Sequence, residues 1–359
     1  MHYLIRTDAS DSIGSGHVMR CLTLANAIIA EAKGLGEKAQ ITFVCASHSG
    51  HLQRMIREQN FTVIAIKPCD TQLKDAEACL SKLNQNYDLL IVDHYGLGAE
   101  FEVLMRQQCH HVMVIDDLAD RHHHCDVLLD QNLLPNSINR YHSFINFNCT
   151  PLLGPKYSIL RAEFYNIRRS MVTDSQRLLV FLGGSDPANF NLMVLQSIAM
   201  IPEPMNVDLV LGEHNPWNDE IIELFKEADW LTVHIQCSYM AKLMSEARMS
   251  IGAGGSSHWE RCTCSLPALV MTVAANQLAT TAYLASLGAC INLGKAKDIS
   301  VIELSRLLVD LWQDEKRLIN LSDVARQQVP TAGTQRVIEQ LNRFKPSVVH
   351  LGYIGDRNE

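Results

Sequence analysis

The sequence predicts an α/β protein of two Rossmann-like domains, each with a parallel sheet, facing a central cleft. Three observations predict it. Short Val- and Ile-rich runs alternate with amphipathic helical stretches through the chain, as strand–helix–strand units of a parallel sheet require. The alternation breaks once near the middle and restarts on a fresh strand and glycine turn. With 359 residues, 47% hydrophobic and 19% charged, the chain is globular in composition and long enough for two ordinary domains, each with its own core.

In the first half, strands are expected at YLIRTD (3–8), QITFVCAS (40–47), FTVIAI (61–66), LLIVDHY (89–95) and HVMVIDD (111–117). Between the first two, Met19, Leu22, Ala25 and Ile29 share one helical face. After LRAEFYNIRRS the segment MVTDSQ (171–176) breaks the pattern, which sets the expected domains at 1–171 and 172–345. The second half repeats the design with RLLVFLGGSDPANF from 177, VDLVLGEH (207–214), LTVHI (231–235), MSIGAGGSSHWE (249–260) and LPALVMTV (266–273). Near the end, GTQRVIEQLNRF (333–344) places Val337, Ile338, Leu341 and Phe344 on one helical face, with Thr334 expected as its N-cap. The tail 346–359 has no assigned role.

A formal net charge of −8 argues against a nucleic-acid partner, whose backbone is held by clustered Lys and Arg. A small anionic ligand stays open, because glycine turns and helix ends can supply a local positive field. Arg6 and Asp8 interrupt any leader-like start, and the most apolar stretch, 266–294, carries Asn276, Gln277 and several threonines, so it reads as core rather than membrane span. The expectation is a soluble, cytoplasmic monomer with no membrane partner. The eleven cysteines contain no CxxC pair and are expected to be reduced, mostly buried thiols. His122, His123 and His124 read as a loop, since adjacent side chains point in different directions and nothing nearby completes a metal site. No metal and no cofactor are expected.

Three glycine turns stand where strands should end and helices begin: Gly14–His17, Gly183–Asp186 and Gly252–Ser257. Unpaired N–H groups and the absence of side chains let a phosphate approach such turns, although tight turns also use glycine for steric reasons alone. The third, GAGGSSHWE, adds Ser256 and Ser257 and is followed by Glu260. That carboxylate can accept ribose hydroxyls or simply favour the helix start. Asn276 and Gln277 lie just beyond an expected strand end, where buried amides need partners; a phosphate or a loop carbonyl would serve. Arg6, Arg20 and Arg261 can each meet phosphate or form surface ion pairs. No GxxxxGK[ST] motif occurs, and IGSGHVMR ends in arginine where a GxGxxG pattern needs glycine, which argues against ATP hydrolysis and NAD chemistry.

The segments RTDASDSIGSGHVMRCLTLA, VDHYGL, IDDLADRHHHCDVLLDQN, LLGPKYSILRAEF, FLGGSDPANF and GAGGSSHWERCTCSLPALVMTVAANQ together resemble the UDP-2,4-diacetamido-2,4,6-trideoxy-β-L-altropyranose hydrolases of pseudaminic acid biosynthesis, which serve flagellin glycosylation. The similarity runs in order from residue 3 to about residue 345. More distantly, the three glycine loops resemble those of the undecaprenyl-linked N-acetylglucosaminyltransferase of peptidoglycan synthesis. The resemblance implies the GT-B fold, with the nucleotide held mostly by the C-terminal domain. It implies metal-independent hydrolysis that releases UDP and the free altrose sugar with inversion. It also implies that His17 is catalytic and that Tyr95 and Asn276 belong to the active site.

On the residues alone, His17 either serves as a base or fills the turn. A base opposite a phosphate cradle is sufficient chemistry here. Glycosidases need two carboxylates because an alkoxide leaves poorly, whereas a nucleoside diphosphate leaves well and needs only an activated water and stabilisation of its charge. The helix N-terminus should keep the His17 ring neutral, with Asp8 or Asp11 as possible orienting groups. The resulting substrate-binding set is Gly14, Gly16, Arg20, Tyr95, Gly183, Gly184, Ser185, Gly254, Gly255, Ser256, Ser257, Glu260, Asn276 and Gln277. The main rival is a GT-B glycosyltransferase that passes the sugar to an acceptor other than water.

Overall fold

Long apolar runs without polar alternation, such as LLIV at 89–92, suit strands covered on both faces, and the chain uses them at the centres of two sheets. The computed structural model describes residues 1–165, 167, 174–330 and 332–345. The first sheet contains β1 (His2–Thr7), β2 (Gln40–Ala46), β3 (Thr62–Ile66), β4 (Tyr87–Asp93), β5 (Cys109–Ile115), β6 (Val127–Asp130) and β7 (Thr150–Leu153), in the order β3-β2-β1-β4-β5-β6-β7. The second contains β8 (Arg177–Phe181), β9 (Asn206–Leu211), β10 (Leu231–Ile235), β11 (Met249–Ala253), β12 (Ala268–Thr272) and β13 (Ile291–Lys295), in the order β10-β9-β8-β11-β12-β13. All pairings are parallel.

Each sheet is packed on both sides. In β1, Tyr3 and Ile5 join one core with Leu24, Ile28 and Phe43, while Leu4 joins the opposite core with Leu90 and Phe101. In β8, Leu178 and Val180 face one way and Leu179 the other. Every strand read from the sequence is present, and β6, β7 and β13 add to them. Among the described residues no helix is long and apolar enough to cross a membrane.

The strand order reverses between β1 and β4 in the first sheet and between β8 and β11 in the second. At such switch points the loops leaving the strand ends diverge and open a crevice. The loop containing Gly14–His17 follows β1, Tyr95 follows β4, Gly183–Asp186 follows β8, and Gly252–Ser257 begins in β11.

The last helix, Gly333–Leu341, returns to the first core, where Val337, Ile338 and Leu341 pack with Ile28 and Tyr3. The range 172–345 expected for the second domain therefore contains a helix that serves the first. Gly333 permits the return, for a Cβ there would lie 2.4 Å from the Ser158 carbonyl oxygen. Thr334 is not the N-cap; Ala332, in the left-handed region, holds that place. The Thr334 hydroxyl instead accepts from the Leu160 N–H at 2.9 Å and donates to the Leu160 carbonyl at 3.0 Å. The boundary at 171/172 and the tail 346–359 lie outside the described residues.

Candidate active site

His17 stands in the first turn of the helix Gly16–Gly34 and is 6% exposed. Gly14 adopts φ +80°, and a side chain at Gly14 or Gly16 would meet nothing within 4 Å, so the glycines leave open space beside the ring. Nδ1 of His17 lies 2.5 Å from Oδ1 of Asp93. Asp93 is the last residue of β4 and pairs in register with Thr7 at the end of β1. Arg20, one turn along the helix, donates from Nε to Asp93 Oδ2 at 2.8 Å and from Nη2 to Oδ1 at 2.7 Å. Burial alone would raise the Asp93 pKa, but Arg20 and His17 outweigh it and hold the carboxyl well below the ordinary carboxylate range. An ionised Asp93 only accepts, so Nδ1 of His17 donates to it, and in the neutral ring Nε2 is then the acceptor.

Asp93 escaped the sequence reading, which looked to Asp8 and Asp11. Both are engaged elsewhere. Asp8 takes Arg6 Nη1 at 2.5 Å and the Ala46 N–H at 2.7 Å, and Asp11 takes the Ser49 hydroxyl at 2.7 Å. Arg6 is neither a phosphate ligand nor a surface group, since it is buried between Asp8 and Asp75. Arg20, expected at the substrate, spends two of its donors on Asp93.

Among the described residues the second domain comes close to this dyad through Asn276, which meets Tyr95, and Gly184, which lies beside Ser15. The Tyr95 ring meets His17 edge-on at 4.4 Å between centroids, and its hydroxyl accepts from Asn276 Nδ2 at 2.9 Å. That hydroxyl also donates to Asp117 Oδ2 at 3.4 Å, a carboxyl whose pKa burial raises. A Cβ on Gly184 would lie 3.2 Å from the Ser15 hydroxyl, which sets the first and second glycine loops side by side. The structure thus brings His17, Tyr95 and Asn276 together. Asn276 is exposed rather than buried, and Gln277 is half-buried beneath the third loop, where its Oε1 accepts from the Val273 N–H at 3.0 Å.

The phosphate-cradle candidates differ in what their surroundings already satisfy. After Gly183, Gly184 and Ser185, the Asp186 carboxylate accepts from the N–H groups of Phe190 at 3.0 Å and Asn191 at 2.8 Å. The chain's own anion therefore caps the helix Phe190–Ala199. In the third loop Gly255 takes φ +89°, and Gly254 has no room for a side chain because a Cβ would approach Gln277 Cβ and Thr281 Oγ1 at 2.9 Å. The Ser257 hydroxyl donates back to the Ala253 carbonyl at 3.3 Å, and Ser256 is exposed. Glu260 accepts from Arg161 Nη2 at 3.2 Å, and burial raises its pKa. Arg261 is buried beneath the loop, not on the surface, and donates from Nη2 to the Ala253 carbonyl at 2.8 Å.

Of the histidine run, His123 is buried with Nδ1 2.7 Å from Glu102 Oε1, and His124 Nδ1 accepts from Arg106 Nε at 3.2 Å. Among the described residues no cluster of three or more His, Cys, Asp or Glu could hold a metal ion. The cysteines are free thiols, all buried except Cys69 and Cys237, which are half-buried.

No protein-family profile matches the chain. It is 27% identical over 280 residues to an uncharacterized protein of Methanocaldococcus jannaschii, covering 76% of this chain but only 55% of that protein. It is 25% identical over 292 residues to the UDP-2,4-diacetamido-2,4,6-trideoxy-beta-L-altropyranose hydrolase of Campylobacter jejuni, covering 80% of this chain and 97% of the relative. It is 27% identical over 319 residues to the spore coat polysaccharide biosynthesis protein SpsG of Bacillus subtilis, covering 86% and 89%. Among solved structures, MurG of Acinetobacter baumannii superposes with a TM-score of 0.64 at 17% identity, over 95% of this chain and 99% of that one. The calicheamicin glycosyltransferase CalG4 superposes with a TM-score of 0.59 at 14% identity, over 99% of both. The fold is the GT-B arrangement, and a hydrolase of the kind that the motifs resemble is among the curated relatives.

Proposed function

We propose that the chain is an inverting, metal-independent UDP-sugar hydrolase. It cleaves the anomeric C–O bond of UDP-2,4-diacetamido-2,4,6-trideoxy-β-L-altropyranose and releases UDP and 2,4-diacetamido-2,4,6-trideoxy-L-altrose in pseudaminic acid biosynthesis. The observation that carries this reading is His17, braced at Nδ1 by Asp93 with Nε2 left as acceptor, beside Tyr95 and Asn276.

In the proposed mechanism, water adds to the anomeric carbon and its proton passes to His17 Nε2, while the bond from that carbon to the β-phosphate oxygen breaks and UDP leaves from the opposite face. Asp93 stabilises the imidazolium that forms. UDP carries away the electron pair as a good leaving group, so no second carboxylate has to protonate it. Gly14 and Gly16 leave room for the sugar beside His17. Gly183, Gly184, Ser185, Gly254, Gly255, Ser256 and Ser257 face the diphosphate, and Glu260 takes the ribose once it releases Arg161. Residues 1–171 supply the base and 172–345 the nucleotide site. The names of the relatives support the substrate, and the GT-B neighbours support a nucleotide-sugar cleft.

Turnover in 18O-labelled water with mass spectrometry of both products tests the reading. The expected result is label in the free sugar and none in UDP. Label in UDP would indicate attack at phosphorus and overturn the mechanism, and turnover only with an added acceptor would identify a transferase.

A further inference from the structure

Buried guanidinium groups are ordinarily neutralised by carboxylates, and the first domain follows this rule: buried Arg6 holds Asp8 and Asp75, and half-buried Arg20 holds Asp93. Arg261, 3% exposed, does not. Among the described residues no carboxylate forms an ion pair with it; its neighbour Glu260 is bound to Arg161. Its contacts are neutral. Nη2 reaches the Ala253 carbonyl at 2.8 Å and His258 Nδ1 at 3.2 Å. Burial and the adjacent Arg261 charge push the His258 pKa well below its ordinary value. A neutral ring that accepts at Nδ1 donates from Nε2, here to Thr281 Oγ1 at 2.9 Å.

The position of this charge is specific. A Cβ on Gly252 would lie 2.6 Å from Arg261 Nη1 and 2.9 Å from the Phe181 carbonyl oxygen. The guanidinium therefore sits under the adjacent ends of β8 and β11, at the switch point from which both glycine loops of the second domain depart. Gly252 is glycine because the guanidinium occupies the space of its side chain.

We propose that Arg261 is a buried anion-binding residue, which acts through the loop Gly252–Ser257 and supplies the fixed positive charge that holds a nucleoside diphosphate. The proposal rests on the reading of this cleft as a UDP-sugar site and extends it to the origin of the field. Helix dipoles contribute little here, because the helix after the third loop is only seven residues long and Asp186 caps the helix after the second. A cation with no ion-paired carboxylate in a low dielectric is costly in the empty protein, and the Glu260 charge that reaches it through space offsets burial only in part, since burial still lowers the Arg261 pKa. A diphosphate arriving above the loop supplies the missing charge, so the binding preference is set by charge rather than by shape.

The test compares affinities of the full chain for UDP and for uridine by calorimetry, in the wild type, Arg261→Gln and Arg261→Lys. Gln can still donate to the Ala253 carbonyl but carries no charge, and Lys keeps the charge without the planar fork. The expected result is a roughly tenfold loss of UDP affinity in Arg261→Gln with uridine affinity unchanged. Arg261→Lys should stay within about threefold of the wild type for both ligands. Equal losses for UDP and uridine, or no loss for UDP, overturn the proposal while leaving the UDP-sugar reading intact. A wild type that binds UDP no better than uridine overturns both. Should Arg261→Gln fail to fold, the uncharged, unbranched Arg261→Met takes its place with the same reading: a selective loss of UDP affinity supports the charge, and a retained UDP preference refutes it.

Discussion

Asp93→Asn separates the base from its brace with the smallest change of shape. Asp93 accepts from His17 at 2.5 Å and from Arg20 at 2.8 and 2.7 Å. An asparagine offers one acceptor oxygen and one amide donor. The oxygen satisfies the fixed guanidinium fork of Arg20, which has only donors, so the amide turns toward His17. Nδ1 must then accept, the proton moves to Nε2, and the ring can no longer take a proton from water. A positioned general base is worth about 10²- to 10⁴-fold in rate, or about 3–5 kcal/mol at 1.36 kcal/mol per decade. Turnover measured as UDP release should fall by that factor. UDP affinity should stay within about threefold, because the proposed nucleotide contacts lie in the second domain and not at the dyad. The nitrogen chemical shifts of His17 should change from the Nδ1–H to the Nε2–H tautomer. A variant that keeps more than about a third of the wild-type kcat would refute the role assigned to Asp93. A parallel loss of turnover, UDP binding and melting temperature would show instead that Asp93 is a fold determinant.

Three further outcomes are expected. His17→Asn should lose turnover by at least the same 10²- to 10⁴-fold and still bind UDP by calorimetry; substantial remaining activity removes His17 from the mechanism. Tyr95→Phe and Asn276→Ala should each lower turnover, and the double variant should be no worse than the weaker single one, since both remove the same 2.9 Å bond; additive losses would mean that the two act independently. Asp8 has a pKa held below its ordinary value because, against the cost of burial, His94, Arg6 and the Ala46 N–H stabilise its charge. A lowered folded-state pKa contributes stability that is fully present above the unfolded value of about 3.9 and is lost as the pH falls through the folded value. Asp8→Asn should therefore melt lower than wild type at neutral pH and lose less stability on acidification below about pH 4; parallel acid profiles would disprove the contribution.

Most of the strands that were legible in the sequence, such as β1, β4, β5, β8, β11 and β12, are covered on both faces and so read as continuous apolar runs; β3 and β10 were legible too, although each is an edge strand, because Val and Ile still mark them. The three that were not lie toward the sheet edges. β7, at the end of its sheet, contains Pro151 and is four residues long. A proline lacks the ladder donor and belongs at an edge, but it also removes the local signal of a strand. β13, the edge of the second sheet, alternates Ile291 and Leu293 with Asn292 and Gly294, which resembles a loop when no partner strand is in view. The return of the last helix to the first core was illegible for a different reason. Its amphipathic face was plain, but nothing in Val337, Ile338 and Leu341 says which of two apolar cores they enter; that is decided by the close approach of Gly333 to Ser158 and by the bonds of Thr334 to Leu160.

The same distinction explains how the site was read. His17 was visible because its glycines are contiguous with it, and Tyr95 and Asn276 came from the motif resemblance. The carboxylate that orients His17 was sought nearby in the chain, at Asp8 and Asp11, where proximity in sequence stood in for proximity in space. In a parallel sheet that substitution fails, because the neighbours of a strand end are the ends of adjacent strands and not the next few residues. Asp8 continues past the end of β1, where Arg6 and the end of β2 at Ala46 take its oxygens. Asp93 stands in register with Thr7 across the β1–β4 pairing, and the helix that follows β1 carries His17 over it. One signal was available: LLIVDHY ends an apolar strand on a carboxylate, and a charge at the carboxyl end of a central strand is costly unless something pairs with it. The strand order turns that signal into an assignment, since β1 and β4 flank the switch point and an acid there faces the crevice in which ligands bind.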